Sequence, residues 1–284
     1  MIDLHSHSVF SDGSERPQRV VELAKEAGCT AVALTDHDGL GGLDEARQRA
    51  NELELELVDG CEVSCALGES SLHVLCYFVR GDSGPLPEEL AHLRDDRERR
   101  NVLMVEKLQA LGLPITFEEV SAKAEGMGIG RPHVAAVLKD HGIVRDINEA
   151  FDRFLGTGRP GYVKKSRITI EQIIECTERS GGVCVVAHPY SLQLERHDLE
   201  RQVAEWASRG LTGLESYYSR YSPELRTELV AMARRHGLVP TGGSDFHGSY
   251  KPDISMGTGT GDLNVPDEVL DELRSRRPAS TQPA

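Results

Sequence analysis

Apolar residues recur in two patterns that alternate along most of this chain. Short runs such as Thr30–Thr35 are apolar at nearly every position, which is typical of strands buried on both faces of a parallel sheet. Longer segments between them have the apolar spacing of amphipathic helices. The patterns predict strands over 3–8, 30–35, 55–63, 71–78, 161–163, 182–187, 211–216 and 238–242, and helices over 17–27, 43–53, 169–180, 198–209, 223–236 and 266–276.

This alternation predicts an α/β fold. Strands that alternate with helices imply a parallel sheet with right-handed crossovers, and about seven repeats favour a closed or nearly closed barrel. The alternation stops where helical patterns follow one another at 86–111, 116–124, 132–141 and 146–155. We therefore expect a discontinuous barrel domain of residues 1–85 and 161–277, a small helical insertion over 86–160 and a disordered tail over 278–284.

Charge and composition narrow the class of protein. The 284 residues include 32 Lys and Arg against 46 Asp and Glu, which gives a formal net charge of −14. Because contacts to a long nucleic acid need Lys and Arg, we expect no such partner. No apolar run is long enough to span a bilayer and the first residues are polar, so we expect no signal peptide or membrane anchor and a cytoplasmic location. We also expect a monomer.

His and carboxylate side chains recur at the ends of the predicted strands. His5 and His7 are two residues apart, so a strand would place both on one face, where they can bind one metal ion. The carboxyl ends of barrel strands are where barrel enzymes build active sites. The candidate ligands are His5, His7, Asp12, His37, Glu62, His73, His188, Asp245 and His247. A single strand-end His is more often an ordinary hydrogen-bonded residue, and Asp12 alone is a common turn residue, so only the whole set indicates a metal site.

The size and chemistry of this set indicate more than one metal ion. It is too large for one ion, and two or three divalent cations with a bridging carboxylate fit it better. Imidazole and carboxylate ligands without Cys favour Zn, Mn or Fe over Mg alone. Cys61 and Cys65 are the closest pair of cysteines, and they lack the spacing of a zinc knuckle.

The segments that contain the candidate ligands together resemble the successive motifs of the PHP (polymerase and histidinol phosphatase) family. The matching segments are Asp3–Ser8 with Ser11–Gly13, Thr35–Asp38, Gly60–Glu62, His73, Ala187–Pro189 and Gly243–Gly248. The resemblance implies a distorted (β/α)7 barrel with a trinuclear metal site. By that resemblance the first ion is held by His5, His7, Glu62 and Asp245, the second by Glu62, His73 and His188, and the third by Asp12, His37 and His247.

Two further pairs of residues are candidates for substrate binding. Pro132 marks the first turn of a helix, so Arg131 and His133 flank an N-terminus that favours phosphate, although such residues also occur in helix caps without function. The segment resembles stand-alone bacterial PHP phosphoesterases, which implies that both residues contact substrate phosphate, with His133 a candidate general acid. Tyr217 and Tyr218 could stack a base, although Tyr at a strand end more often packs against the core.

The resemblance also implies an activity, that of a metal-dependent phosphoric ester hydrolase. We expect it to hydrolyse phosphomonoesters of small nucleotides, above all the 3′-phosphate of nucleoside 3′,5′-bisphosphates, by attack of a metal-bridging hydroxide. The alternative is a 5′→3′ exoribonuclease on short 5′-phosphorylated RNA. Less favoured are a histidinol-phosphate-type phosphatase and a non-catalytic nucleotide or metal sensor.

Overall fold

The computed structural model describes residues 1–68, 70–82, 84–123, 129–164 and 168–279. The chain divides into two units, Met1–Leu90 with Arg167–Ala284, and Ala91–Ser166. The boundaries predicted from the sequence, at residues 86 and 160, remain a prediction of domain organisation. Residues 280–284 of the predicted tail lie outside the described residues. None of the helices in the described part of the chain is long and apolar enough to cross a membrane.

The strands and helices follow one another as the apolar patterns predict over most of the chain. The strands are β1 (Ile2–Asp3), β2 (Ala31–Leu34), β3 (Glu56–Leu67), β4 (Ser70–Tyr77), β5 (Ile168–Thr169), β6 (Val183–Val186), β7 (Gly213–Tyr218) and β8 (Val239–Gly243). The helices are α1 (Pro17–Glu26), α2 (Leu43–Glu52), α3 (Leu86–Ala110), α4 (Phe117–Lys123), α5 (Arg131–Asp140), α6 (Ile147–Ala150), α7 (Ile170–Arg179), α8 (Arg196–Ser208), α9 (Pro223–Arg235) and α10 (Glu268–Ser275).

The larger unit is a nearly closed barrel. Among the described residues, seven strands follow one another in the order β1-β2-β3-β4-β6-β7-β8, and β5 pairs with β3. The first and last strand segments are joined by hydrogen bonds from Leu4 N to Gly242 O (3.1 Å) and from Asp245 N to His5 O (2.9 Å). Strands β2 and β6 are buried on both faces, as expected for parallel strands covered by helices. The predicted distorted α/β barrel is confirmed.

The expectation of a parallel sheet is wrong for β4, which runs antiparallel to both β3 and β6. Strand β3 ends at Leu67 and β4 begins at Ser70, and strands so close along the chain can pair antiparallel but not parallel. Because β4 is reversed, its beginning lies at the edge where the parallel strands end. His73 near the start of β4 therefore meets the segment that follows β6, and its carbonyl oxygen accepts a hydrogen bond from Ala187 N at 3.0 Å.

The strand predicted over 161–163 is not present. Gly161 N donates to Phe154 O and Tyr162 N donates to Arg159 O, both at 2.9 Å, so these amides close turns within the smaller unit. Amides used in this way cannot take part in a strand ladder. The sheet resumes instead at β5, which pairs with the end of β3.

Apolar side chains from the strands hold the barrel together. One buried cluster takes Val183 and Val185 of β6 and Ala187 directly after it, together with residues of β1, β2, β3, β4, β8 and α10. This period of two fixes which residues face the cluster, because a slip of one residue would turn every side chain to the other face. A second cluster packs α1 and α2 against β2, and the smaller unit has a separate cluster of its own.

Candidate metal centre

The site begins directly after β1. Strand β1 ends at Asp3 and is therefore shorter than predicted, but His5 and His7 still converge, with their Nε2 atoms 3.1 Å apart. Gly243 at the end of β8 allows the chain to pass here, because a Cβ at that position would lie 2.4 Å from the backbone nitrogen of His5. Only glycine permits so close a backbone approach.

Glu62 lies at the centre of the site and is buried in β3. Its Oε2 lies 3.3 Å from Nε2 of His5 and 3.2 Å from Nε2 of His7. Its Oε1 lies 3.0 Å from Nδ1 of His73 and 3.0 Å from Nε2 of His188. Oε2 also lies 3.3 Å from Nδ1 of His37. The two carboxylate oxygens therefore face different imidazoles, as expected of a bridging ligand.

The remaining candidate ligands extend the site on the side of His7. Oδ1 of Asp12 lies 3.3 Å from Nε2 of His247, and its Oδ2 lies 3.6 Å from Nε2 of His37. Oδ1 of Asp245 lies 3.3 Å from Nε2 of His7. Among the described residues, three sets have all their ligand atoms within 4.8 Å of one another: His7, Asp12, His37 and His247; His5, His7 and Asp245; His37, Glu62 and His73. The structure thus brings together all the residues predicted as ligands.

Two imidazole nitrogens show that the residues present fit a cation. Nδ1 of His37 and Nδ1 of His73 are buried and have no hydrogen-bond partner among the described residues, although Glu62 oxygens lie 3.3 and 3.0 Å away. Buried polar atoms nearly always have a partner, so nitrogens in this position are well placed to ligate an ion between imidazole and carboxylate. A donor set of imidazole and carboxylate suits first-row divalent ions.

The charged groups of the site shift one another's pKa values. Burial opposes ionisation of Glu62, but His37, His5 and the other imidazoles outweigh it and hold the pKa of Glu62 well below its usual range. Burial opposes protonation of His7, yet hydrogen bonds to Asp245 and Glu62 raise the pKa of His7 to about 9. Burial lowers the pKa of His37 to about 3, against the attraction of Glu62. A bound cation would replace the protons in such a site.

The loop between His7 and Asp12 is fixed by Asp36, which is buried after β2. One oxygen of Asp36 accepts from Ser8 N (2.7 Å) and from Ser11 Oγ (2.6 Å), and the other accepts from Ser8 Oγ (2.7 Å). The loop is thereby held in the conformation that directs Asp12 towards the imidazoles. The sequence placed Asp36 within one of the family motifs but predicted no role for it.

Asp245 is held by two side chains whose contacts the sequence did not predict. The hydroxyl of Tyr218 donates to Oδ2 of Asp245 at 2.8 Å, and Nζ of Lys251 donates to the same oxygen at 2.7 Å. Oδ1 is the oxygen that faces the imidazoles. Tyr218 is 9% exposed and its ring lies 5.5 Å from that of His188. Lys251 lies in a loop without a recognisable pattern, and nothing in the sequence marked it.

Glu215 is a further residue that the sequence did not identify. It is buried in β7, with Oε1 2.8 Å from Nδ1 of His5 and Oε2 accepting from the backbone nitrogen of His188 at 2.6 Å. An acidic residue within the apolar strand predicted over 211–216 was the available signal, because a buried carboxylate needs a specific partner.

The predicted substrate-binding residues lie in different surroundings. Tyr217 packs against the barrel core. Within the smaller unit, Arg131 begins α5, donates to Leu155 O at 3.5 Å and lies over the ring of Phe151. Nδ1 of His133 accepts a hydrogen bond from its own helix cap, Gly130 N, at 3.0 Å, and burial lowers the pKa of His133. Neutral His133 therefore carries its proton on Nε2. Substrate binding by these residues remains a prediction.

Comparison with known proteins identifies the family. The sequence profile of the PHP domain matches residues 3–154. The 5′-3′ exoribonuclease Rnm of Escherichia coli is 34% identical over 247 residues, which cover 86% of this chain and 84% of that protein. The chain belongs to the PHP family. A 3′,5′-nucleoside bisphosphate phosphatase of Chromobacterium violaceum is 32% identical over 247 residues, 87% of each chain.

Solved structures of similar proteins share this PHP fold along almost the whole chain. A Bifidobacterium adolescentis protein, provisionally described as a metal-dependent phosphoesterase, has a TM-score of 0.78 and 33% identity and covers 97% of this chain and 96% of its own. A Chromobacterium violaceum protein named an amidohydrolase, solved with bound sulfate and no metal, has a TM-score of 0.77 and 31% identity, with 98% and 97% covered. The predicted hydrolase class, a metal-dependent phosphoesterase that uses divalent ions, is confirmed.

Proposed function

We propose that this PHP protein hydrolyses phosphomonoesters of small nucleotides, with the 3′-phosphate of nucleoside 3′,5′-bisphosphates as the leading substrate. The observation that carries the proposal is the three adjoining ligand sets: two of them share His7, two share His37, and Oε2 of Glu62 lies 3.3 Å from Nε2 of His5 and 3.2 Å from Nε2 of His7. Phosphoryl transfer mainly requires stabilisation of charge on the phosphoryl oxygens, which adjacent cations provide. The relative named a 3′,5′-nucleoside bisphosphate phosphatase, similar over 87% of this chain, supports the substrate class.

We propose that two or three divalent ions, Mn, Zn or Fe, bind among the candidate ligands. His5, His7, Glu62 and Asp245 would hold the first ion, Glu62, His73 and His188 the second, and Asp12, His37 and His247 the third. Oε2 of Glu62 faces His5 and His7, and Oε1 faces His73 and His188, which supports Glu62 as a ligand shared by the first two ions. Their mixture of nitrogen and oxygen donors supports first-row metals over Mg alone.

When bound, the ions would supply an activated water and neutralise charge on the phosphoryl group. The residues of the chain orient the ligands and the substrate. Tyr218 and Lys251 hold one oxygen of Asp245 and so present the other to the site. We propose Arg131 and His133 as the residues that contact substrate phosphate, with His133 Nε2–H as a donor. The family resemblance and the preference of a helix N-terminus for anions support this assignment.

The test is release of inorganic phosphate by the Mn²⁺-loaded protein from three substrates: a nucleoside 3′,5′-bisphosphate, AMP and histidinol phosphate. We expect the bisphosphate to react fastest and to yield the nucleoside 5′-monophosphate, which chromatography distinguishes from the 3′-monophosphate. A chelator-treated sample and a Glu62→Gln variant control for metal dependence. Turnover of none of the three, with bound metal measured in the same sample, would contradict the proposal.

A second candidate is a 5′→3′ exoribonuclease on short 5′-phosphorylated RNA. The similarity to the Escherichia coli enzyme of that name, 34% identity over 86% of this chain, favours it. The net charge of −14 disfavours long RNA as a partner. A short RNA with a 5′-phosphate and a 3′ label should then shorten stepwise from its 5′ end. An intact oligonucleotide, under conditions in which the bisphosphate is hydrolysed, would exclude this second activity.

A further inference from the structure

Glu215 is an acidic residue in an unusual position. It lies in the middle of β7 with none of its surface exposed to solvent. Removing a carboxylate from water is costly unless hydrogen bonds satisfy both of its oxygens, and a residue that met only the needs of the sheet would be apolar. The contacts of Glu215 therefore indicate why it is there.

Each oxygen of Glu215 accepts one hydrogen bond from a residue that also contributes to the candidate metal centre. Oε1 accepts from Nδ1–H of His5 at 2.8 Å, and Oε2 accepts from the backbone N–H of His188 at 2.6 Å. His5 and His188 belong to different proposed ion sites, the first and the second. One buried side chain thus contacts both.

The bond to His5 determines which ring nitrogen carries the proton. A carboxylate oxygen can only accept, so Nδ1 of His5 must donate, and Nε2 is left with its lone pair. That Nε2 lies 3.1 Å from Nε2 of His7 and 3.3 Å from Oε2 of Glu62. The hydrogen bond from Nδ1 of His5 to Glu215 therefore fixes the tautomer in which Nε2 can ligate a metal ion.

The bond to His188 acts on the main chain. His188 has a φ of 27°, a backbone conformation that residues other than glycine rarely adopt and that persists only where its surroundings hold it. Its ring is held separately, with Nδ1 2.9 Å from Ser191 Oγ and Nε2 3.0 Å from Glu62 Oε1. Oε2 of Glu215 fixes the backbone from which this ring projects.

We propose that Glu215 is a positioning residue that orients His5 and His188 for the first and second metal ions together. This inference rests on the proposed metal centre. Both partners of Glu215 are N–H donors, so the side chain needs two acceptor atoms. Glutamine has one acceptor oxygen and one NH₂ group, so it can accept a hydrogen bond from only one of the two donors. If its NH₂ group faces His5 instead, Nδ1 of His5 must accept and the proton moves to Nε2.

The test compares Glu215→Gln with Glu228→Gln, which makes the same change in a partly buried carboxylate of α9 that bonds to Tyr190 and Arg196. Mn²⁺ and Zn²⁺ affinities are measured by competition with a chelator, and circular dichroism checks that each variant is folded. We expect Glu215→Gln to weaken metal binding about 10–100-fold and Glu228→Gln to leave it unchanged. Unchanged metal affinity in folded Glu215→Gln would overturn the inference.

A second experiment makes Glu215→Gln in a His5→Gln background, because a purely structural role of Glu215 would not depend on His5. The loss of affinity from Glu215→Gln should then be smaller than in the wild type, because one of its two targets is gone. An equal loss in both backgrounds would show that Glu215 does not act through His5.

A measurement on the wild type covers the case in which Glu215→Gln does not fold. Nitrogen-15 NMR of the imidazoles should show Nδ1 of His5 protonated in the metal-loaded protein, and an unprotonated Nδ1 would overturn the inference. Metal binding is measured separately from phosphate release. A wild type that binds metal but hydrolyses no phosphoester would therefore contradict the proposed function and leave the result for Glu215 intact. A wild type that binds no metal would contradict both.

Discussion

Nδ1 of His73 lies 3.0 Å from Oε1 of Glu62, although the two residues belong to strands that run in opposite directions. Strand β4 begins at the edge of the barrel where the parallel strands end. The reversed strand therefore supplies a ligand from its beginning, whereas the parallel strands supply theirs from their ends. The reversal therefore adds to the site instead of interrupting it.

Replacement of Glu62 by glutamine should weaken metal binding at more than one position. The amide NH₂ cannot ligate a cation, and the Glu62 oxygens face both the pair His5 and His7 and the pair His73 and His188. Because loss of an outer-shell partner alone costs about 10–100-fold, loss of this ligand should lower kcat/KM by at least about 100-fold. Elemental analysis should show at least one ion fewer per chain. Glu200→Gln, a surface change, is the control; equal metal content in both variants would contradict a bridging role.

Removal of the two donors to Asp245 should weaken metal binding without abolishing it. Hydrogen bonds to charged groups contribute about 1.5–3 kcal/mol, and the bond from buried Tyr218 should lie within that range. Lys251 is 31% exposed, so solvent screening places its contribution lower. We expect Tyr218→Phe to lower Zn²⁺ affinity about tenfold and Lys251→Met to lower it less. The effect of the double variant should exceed the sum of the two, because either donor can partly replace the other. Wild-type affinity in the double variant would show that Asp245 needs neither donor.

Stability of the metal-free protein should depend on pH through His7. The pKa of His7 is raised from 6.5 to about 9, so the folded state binds this proton more tightly than the unfolded state. The resulting stabilisation is fully present below pH 6.5 and is lost as the pH rises through about 9. The pKa values of His5 and His188 are raised too, which adds to the effect. Calorimetry should show Tm falling between these pH values in chelator-treated protein, with a weaker slope in His7→Gln. A flat profile in the metal-free wild type would contradict this.

Sequence periodicity predicted the barrel because burial on both faces leaves a continuous apolar run, as in β2 and β6. It could not give the direction of β4, since an apolar strand reads the same in either orientation. The short connection from Leu67 to Ser70 contained that information, but β3 was predicted to end earlier, at residue 63. The missed strand extension therefore concealed the hairpin.

The ligands could be predicted because imidazole and carboxylate side chains at strand ends are distinctive in the sequence. The residues that orient them were harder to find, because their partners are distant along the chain. Glu215, for example, bonds to His5 across a separation of 210 positions. Tyr218 illustrates the same limit. Its position near the site was predicted, whereas its hydrogen bond to Asp245 depends on the adjacent strand β8 and the loop that follows it.

A methyl group at Gly243 should disrupt the junction between the first and last strand segments. An alanine Cβ would lie 2.4 Å from His5 N and 2.5 Å from His5 Cβ, both of which belong to the residue that must stay in place to ligate metal. Overpacking of this kind costs about 1–3 kcal/mol, and fixed backbone on one side favours the upper end. Thermal unfolding should show a lower Tm for Gly243→Ala, accompanied by weaker metal binding. Gly81→Ala, where an added Cβ meets nothing within 4 Å, is the matched control; equal Tm values in the two variants would contradict the role of Gly243.

Arg131→Ala should impair catalysis without removing metal. A charge-assisted hydrogen bond of about 1.5–3 kcal/mol to substrate phosphate corresponds to about 10–150-fold in kcat/KM. Arg131→Lys keeps the charge but loses the planar fork, so it should recover only part of the activity. Because Arg131 also lies over the Phe151 ring, the melting curve of each variant is needed to separate substrate binding from folding. Arg145→Ala, which removes an exposed arginine paired with Glu149, is the control in the same unit. Wild-type kcat/KM for the bisphosphate in folded Arg131→Ala would show that this residue does not bind substrate.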